Sequence, residues 1–276
     1  MQNALGTGAR FALFALVASA ANEYEYTYDK QAAWRDLQGA VCGICNRQSP
    51  INIVPATAQP SSTLQNLIFI NWDGRVDGTF SNKGHNVQFD PSVKGTSTVN
   101  QKGTYVLQQL HFHWGEGQRD GSEHRIQGSQ YDAEIHFVHR KQGAPDGSTD
   151  IDTLTVLAVF GIANDAAPIT GIWNQLQVPS TSGSSFPLSG LRYSDLLPSN
   201  RDYYYYEGSL TTPPCSEVVQ WFVLKEPIQI PSAYISRLRT VQENNRGTLL
   251  THNVRDVQPL NGRIVMTPMG KLLIHI

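Results

Sequence analysis

Five stretches of the chain limit its fold more than anything else in it: TLQNLIFI at 63–70, GTYVLQQLHFHW at 103–114, DAEIHFVH at 132–139, DTLTVLAVFGIA at 152–163 and SEVVQWFVLKE at 216–226. Each is rich in β-branched and aromatic residues and is bounded by Gly, Pro, Asn, Asp or Ser, the pattern of strands closed by turns. Helical signals are short. SGLRYSDLLP at 189–198 stops at Pro198, and PSAYISRLRTVQ at 231–242 offers Ser232 as an N-cap, with Ile235, Leu238 and Val241 toward one side. No internal repeat or long linker interrupts the pattern. The Pro, Ser and Gly clusters at 55–63 and 179–187 read as surface loops, because strand-like segments resume on both sides. At 276 residues the chain makes one large domain or two small ones and needs no staple to hold a core.

Charge excludes some functions. A net charge of −2 with 16% charged residues gives neither the basic footprint of a nucleic-acid binder nor a disordered acidic tail. The N-terminus differs in kind: Arg10 precedes FALFALVASAA, which ends in the small-x-small pattern Ala18-Ser19-Ala20. This reads as a signal peptide over residues 1–20, too short to span a bilayer, followed by a mature chain over 21–276 with no membrane span. No N-x-S/T sequon is present. Three cysteines, Cys42, Cys45 and Cys215, make one pair and one leftover in an oxidising compartment. The CGIC spacing alternatively suggests a redox dithiol or half of a zinc knuckle, but there is no second C-x-x-C and no βαβ context.

Chemistry concentrates in QLHFHWG at 109–115. On a strand, His111 and His113 project from one face and Phe112 from the other. Alone, the pair is either a wet surface or half of a metal site. In YDAEIHFVHR, Glu134, His136 and Val138 share a face, while Ile135, Phe137 and His139 share the opposite one. If His136 faces the same cavity as His111 and His113, two neighbouring strands supply three neutral imidazoles and leave one coordination position open, the catalytic zinc pattern. A ligating imidazole needs its other nitrogen held by an acceptor, and Gln109 and Glu134 each stand two residues before a candidate ligand, on its own face. The H-x-H-x-D-H and H-E-x-x-H patterns of other zinc hydrolases are absent.

Together with QSPINI (48–53), NKGH (82–85), SEHRIQGSQYDAEIHFVH (122–139) and YEGSLTTPPCSEVVQW (206–221), these residues give a chain that resembles the α-class carbonic anhydrases over most of 24–270. The resemblance implies a mainly β (α+β) single domain around a large, twisted, mostly antiparallel central sheet with short peripheral helices. It also implies reversible hydration of carbon dioxide to bicarbonate and a proton. Zn²⁺ would be held by His111, His113 and His136, with water in the fourth position. In carbonic anhydrases the metal lowers the pKa of that water from about 15.7 to about 7, roughly 12 kcal/mol of stabilised hydroxide. Gln109, Glu134 and Asn253 would hold the ligands. Thr211 would accept the hydroxide's hydrogen bond and pass its own to Glu123, and the Thr211 N–H would hold the substrate oxygen. The substrate pocket would be Val138, Val156, Leu210, Thr212, Val219 and Trp221.

A group of pKa about 7 hands protons to bulk water only about 10³ times per second if return is diffusion-limited. Fast members turn over near 10⁶ s⁻¹, so a shuttle is required. The resemblance gives that role to His85, with Tyr28 and Asn82 supporting the path, and makes His124 a buttress of the site. Lys83, a cation beside His85, would lower that imidazole's pKa. The resemblance further pairs Cys42 with Cys215 in a secreted or periplasmic-type compartment. Cys45 is left as a free thiol or a link between two chains. Inhibition by sulfonamides and small anions is implied as well. The C-terminal GKLLIHI lies beyond the shared pattern. The rival expectation is a non-catalytic carbonic anhydrase-like binding or structural protein, although relatives of that kind usually lack a zinc histidine and this chain has all three.

Overall fold

The computed structural model describes residues 26–244 and 247–269. The expected signal peptide and the C-terminal GKLLIHI therefore lie outside the described residues. Ten strands carry the argument: β1 (Gln59–Ser61), β2 (Val76–Asn82), β3 (Val87–Pro91), β4 (Gly103–Trp114), β5 (Ala133–Lys141), β6 (Leu154–Asn164), β7 (Ser185–Leu191), β8 (Tyr203–Gly208), β9 (Val219–Leu224) and β10 (Met266–Pro268). They lie side by side in the order β7-β2-β3-β4-β5-β6-β9-β8-β10-β1, and Ile68–Ile70, Ser97–Asn100 and Ile228–Pro231 complete a 13-stranded sheet. Most pairings are antiparallel. The parallel ones are β6 with β9, β6 with Ile228–Pro231, and β10 with β1. The protein is thus a strand-dominated single domain with few and short helices.

The long runs read from the sequence become the centre of this sheet. β4, β5 and β6 lie together, and β9 joins them on the far side of β6. Both faces of the centre are covered, so β6 is buried along LTVLAVFG without alternation, the signature of a strand with core on both sides. One face carries Phe112, Ile135, Phe137, Leu157 and Phe222 into the larger apolar cluster. The other carries Val138, Val156, Ala158 and Trp221 into a smaller one beside the histidines. Phe112 is fully buried, with Phe80 edge-on at 6.1 Å and Tyr234 tilted at 6.1 Å. Burying such a ring contributes roughly 2–3 kcal/mol, and it fixes which way His111 and His113 point.

Local expectations fare unevenly. Only Ile68–Ile70 of the 63–70 segment is strand. SGLRYSDLLP is mostly not helical: its first residues close β7, where Phe186 pairs with Phe80 and Leu188 with Gly78, leaving one 3-10 turn at Tyr193–Leu196. The helix Ser232–Leu238 forms and buries Tyr234, Ile235 and Leu238, but Ser232 is its first residue and not its cap. The preceding strand runs straight into it, and Pro231 (φ −54°, ψ 126°) supplies the non-helical boundary residue, so the Ser232 hydroxyl caps nothing. A 3-10 segment at Tyr28–Asp36 buries Tyr28 and Trp34. Among the described residues, no helix is long and apolar enough to cross a membrane.

Candidate metal centre

The register of β4 and β5 places His111 opposite His136 and His113 opposite Glu134. One face of two adjacent strands therefore gathers three imidazoles, each at least nine-tenths buried. Every ring has one nitrogen committed. His111 Nδ1–H donates to Gln109 Oε1 at 2.8 Å, His113 Nδ1–H to the Asn253 carbonyl at 2.7 Å, and His136 Nε2–H to Glu134 Oε1 at 2.7 Å. The remaining three nitrogens face one another, all within 4.8 Å, with His113 Nε2 and His136 Nδ1 3.1 Å apart. Two nitrogens that both present lone pairs cannot hydrogen-bond to each other. A cation between them removes the conflict, and ligands 2.0–2.1 Å from a tetrahedral zinc sit about 3.3 Å from one another. The donor set and its spacing fit Zn²⁺.

Burial keeps His111 and His136 neutral. Burial, followed by the neighbouring His113 and His136, holds the His111 imidazole well below its usual range, and burial with His113 pulls His136 down to about 3. Glu134 is ionised: burial alone would raise it, but His124 and His136 bring it well below the ordinary carboxylate range. It accepts from His124 Nδ1 at 2.6 Å and from the His124 backbone N–H at 2.9 Å. His124 Nε2 is 2.7 Å from the Tyr206 hydroxyl, which donates to Ser49 Oγ at 2.8 Å. His124, Glu134 and His136 also cluster tightly. There, however, the facing atoms are matched donors and acceptors, so this group braces the site and has no room for a second ion.

Glu123 is fully buried beside the same ring nitrogens. Its Oε1 accepts the Arg255 backbone N–H at 3.0 Å, and its Oε2 is 3.5 Å from His113 Nε2 and 3.9 Å from His136 Nδ1. Burial raises its pKa above the usual carboxylate value, offset in part by His113, Arg255 and the neighbouring Thr211 hydroxyl. Thr211 sits on a loop held by Leu210 N–H donating to the Ser216 carbonyl at 3.0 Å and by the Cys42–Cys215 disulfide. That bridge spans 173 residues of sequence, worth roughly 5 kcal/mol against the unfolded chain. Cys45 carries the free thiol.

Above these groups opens a cleft lined by Asn86, Gln88 and Gln109 and by Val138, Val156, Leu210, Thr212 and Trp221, with His111, His136 and Thr211 among its walls. Val219 is fully buried behind this wall and does not line it. Three residues assigned to the proton path also lie off the cleft. His85 is 4% exposed and packed against Tyr26. Tyr28 packs edge-on against Trp34. Asn82 fixes a turn, its amide donating to the Ser180 and Gln242 carbonyls and its oxygen accepting from Gly84 N–H. Lys83 does not bring a bare charge to His85, since its ammonium pairs with Asp90 at 3.0 Å. Asn253 supplies its backbone to His113, and its side chain also accepts from Trp114 N–H.

Sequence reasoning passed over Arg255, Ser49 and Tyr206. Arg255 donates to the Ser49 carbonyl and to Gln48 Oε1, tying the QSP segment to Glu123. Ser49 and Tyr206 stand inside QSPINI and YEGSL, so the motifs held the signal, but the chain from Ser49 through Tyr206 to His124 exists only in three dimensions. A family model of the eukaryotic-type carbonic anhydrases matches residues 29–269. The chain belongs to that family. Carbonic anhydrase 6 of Bos taurus is 35% identical over 268 residues, 92% of this chain and 83% of that protein. Carbonic anhydrase 7 of Homo sapiens is 34% identical over 255 residues, 86% of this chain and 93% of its own length. A putative carbonic anhydrase 3 of Caenorhabditis elegans is 34% identical over 232 residues, 79% and 89%.

Proposed function

We propose that this member of the family is a zinc-dependent enzyme interconverting carbon dioxide and bicarbonate. One observation carries the reading: His111, His113 and His136 each spend one nitrogen on a fixed acceptor and turn the other to a common point beneath an open cleft. Zinc bound there would bring the pKa of a coordinated water to about 7 and so supply a nucleophile at neutral pH. The chain's own residues do the rest. Glu123 takes the Thr211 hydroxyl proton into a hydrogen bond, so that the Thr211 oxygen faces the cleft as an acceptor and sets the direction of attack. Val138, Val156, Leu210 and Trp221 form a dry wall for a small apolar substrate. His85 takes the released proton to buffer.

The disulfide supports an oxidising, extracellular or periplasmic-type location. Sulfonamides and small anions should inhibit by competing for the metal, and Cys45 is available to join two chains. The test is zinc content together with stopped-flow hydration. One zinc per chain and hydration well above buffer are expected, with Glu123→Gln lowering turnover by about 100-fold while zinc is retained. A purified chain with far less than one zinc, or with zinc and no hydration, would favour a non-catalytic binding protein.

A further inference from the structure

In the position the structure shows, His85 is closed off from buffer. Its ring stacks on Tyr26 with centroids 3.9 Å apart and planes 27° apart. Its Nε2 lies 2.8 Å from the Tyr26 carbonyl and 2.8 Å from Asn244 Nδ2. Tyr26 is in turn wedged edge-on against Trp34 at 5.1 Å and Tyr28 at 5.9 Å. Asn244 is seated on the same turn: its backbone N–H donates to the Gly84 carbonyl at 3.3 Å, and a Cβ on Gly84 would meet Asn244 Oδ1 at 1.9 Å. Gly84, at φ +82°, is thus required twice, for its left-handed backbone and for the close approach of Asn244. A group that exchanges protons with buffer must meet water, yet this imidazole is 4% exposed and its Nε2 edge is covered by protein.

We propose that Tyr26 and Asn244 are positioning residues that latch His85 in this closed pocket, so that proton exit runs only in the fraction of molecules whose latch is open. The inference rests on the reading of His85 as the proton exit. When Nε2 carries no proton the Asn244 amide donates to it, and when Nε2 is protonated the ring donates to the Tyr26 carbonyl, so one contact holds the ring in either state. Release breaks these contacts and the stack and lets the ring swing toward the cleft. Apparent proton-transfer rate then scales with the open fraction.

The experiment compares zinc-loaded wild type, Asn244→Ala, Asn244→Asp and His85→Ala in two ways. The first is the rate at which diethyl pyrocarbonate modifies His85, read by peptide mass mapping, with His252 as internal reference because its side chain is 29% exposed. The second is hydration turnover at low and at high imidazole buffer. Asn244→Ala should modify His85 about fivefold faster, the effect of losing one ordinary hydrogen bond, and raise turnover at low buffer alone. Asn244→Asp, whose carboxylate would grip the protonated ring, should do the opposite. His252 should react alike in all four proteins. Equal His85 and His252 reactivity in wild type, or no change of His85 reactivity in Asn244→Ala, overturns the latch. Unchanged low-buffer turnover in His85→Ala overturns the shuttle reading instead, and the modification rates still decide the latch.

Discussion

His136 and His139 stand three residues apart on β5, point to opposite faces, and are both essentially buried. Burial drives both pKa values down, to about 3 at His136, where His113 adds to the fall and Glu134 opposes it, and to about 4 at His139, where hydrogen bonds to the Phe137 and Thr155 backbone oppose it. Burial and protonation therefore do not tell a metal ligand from a core histidine. Partners do. His139 has both nitrogens satisfied by protein, Nδ1 on the Phe137 carbonyl at 2.9 Å and Nε2 with Thr98 Oγ1 at 3.1 Å, and its ring stacks on Trp72. His136 gives one nitrogen to Glu134 and keeps the other for a point shared with His111 and His113. A buried imidazole with one committed nitrogen is half of a bond waiting for a cation, whereas one with two is structure.

The sharpest way to break this contrast is to truncate each residue. His136→Ala should lose zinc affinity well beyond the 10–100-fold that removal of an outer acceptor costs. His139→Ala should keep one zinc per chain and lose about 3 kcal/mol of stability through a cavity and a stranded Thr98. Metal analysis and urea unfolding separate the two, and zinc loss in His139→Ala would erase the distinction. Acid sharpens it next. His139 takes up a proton near pH 6.5 when unfolded but only near 4 when folded. Between those values the unfolded state holds more protons, so stability falls as pH drops through that window, by on the order of 3 kcal/mol from this residue. The zinc-loaded wild type should therefore lose stability more steeply from pH 6.5 to 4 than His139→Gln, and parallel curves would contradict the assignment. On the metal side, Glu134→Gln should weaken zinc binding by roughly 10–100-fold in competition with a chelator. Gln109→Leu should have the smallest effect, about tenfold, because Gln109 is a neutral acceptor and Glu134 a charged one.

Period-two alternation was enough to read which side chains share the face where the three histidines meet. It put His111 with His113, and Glu134 with His136, before any fold was known, because side chains two apart on a strand share a face. The family motifs add Glu123, Thr211 and the cysteine pair. What stayed illegible lies where chain segments distant in sequence meet. Asn253, which only the family resemblance supplied, reaches His113 across 140 residues, and Arg255, which nothing in the sequence supplied, reaches Ser49 across 206. Ser232 looked like a cap because no local signal shows that a strand ends directly on Pro231. Val219 was expected in the substrate wall, yet the packing of β9 between β6 and β8 leaves Trp221 at the surface of the cleft and Val219 behind it.

The sequence by itself determined the strand-rich class and which side chains share a face, His111 with His113 and Gln109, and His136 with Glu134, since these follow from side-chain alternation within single segments, while the family resemblance was needed to bring the three histidines together. Only the tertiary structure decided how each ring's second nitrogen is spent, which residues line the cleft, and that His85 lies closed under Tyr26 and Asn244. The physical reason is that a hydrogen bond or a packed ring is fixed by the position of its partner, and here those partners come from parts of the chain that meet only after the sheet has formed.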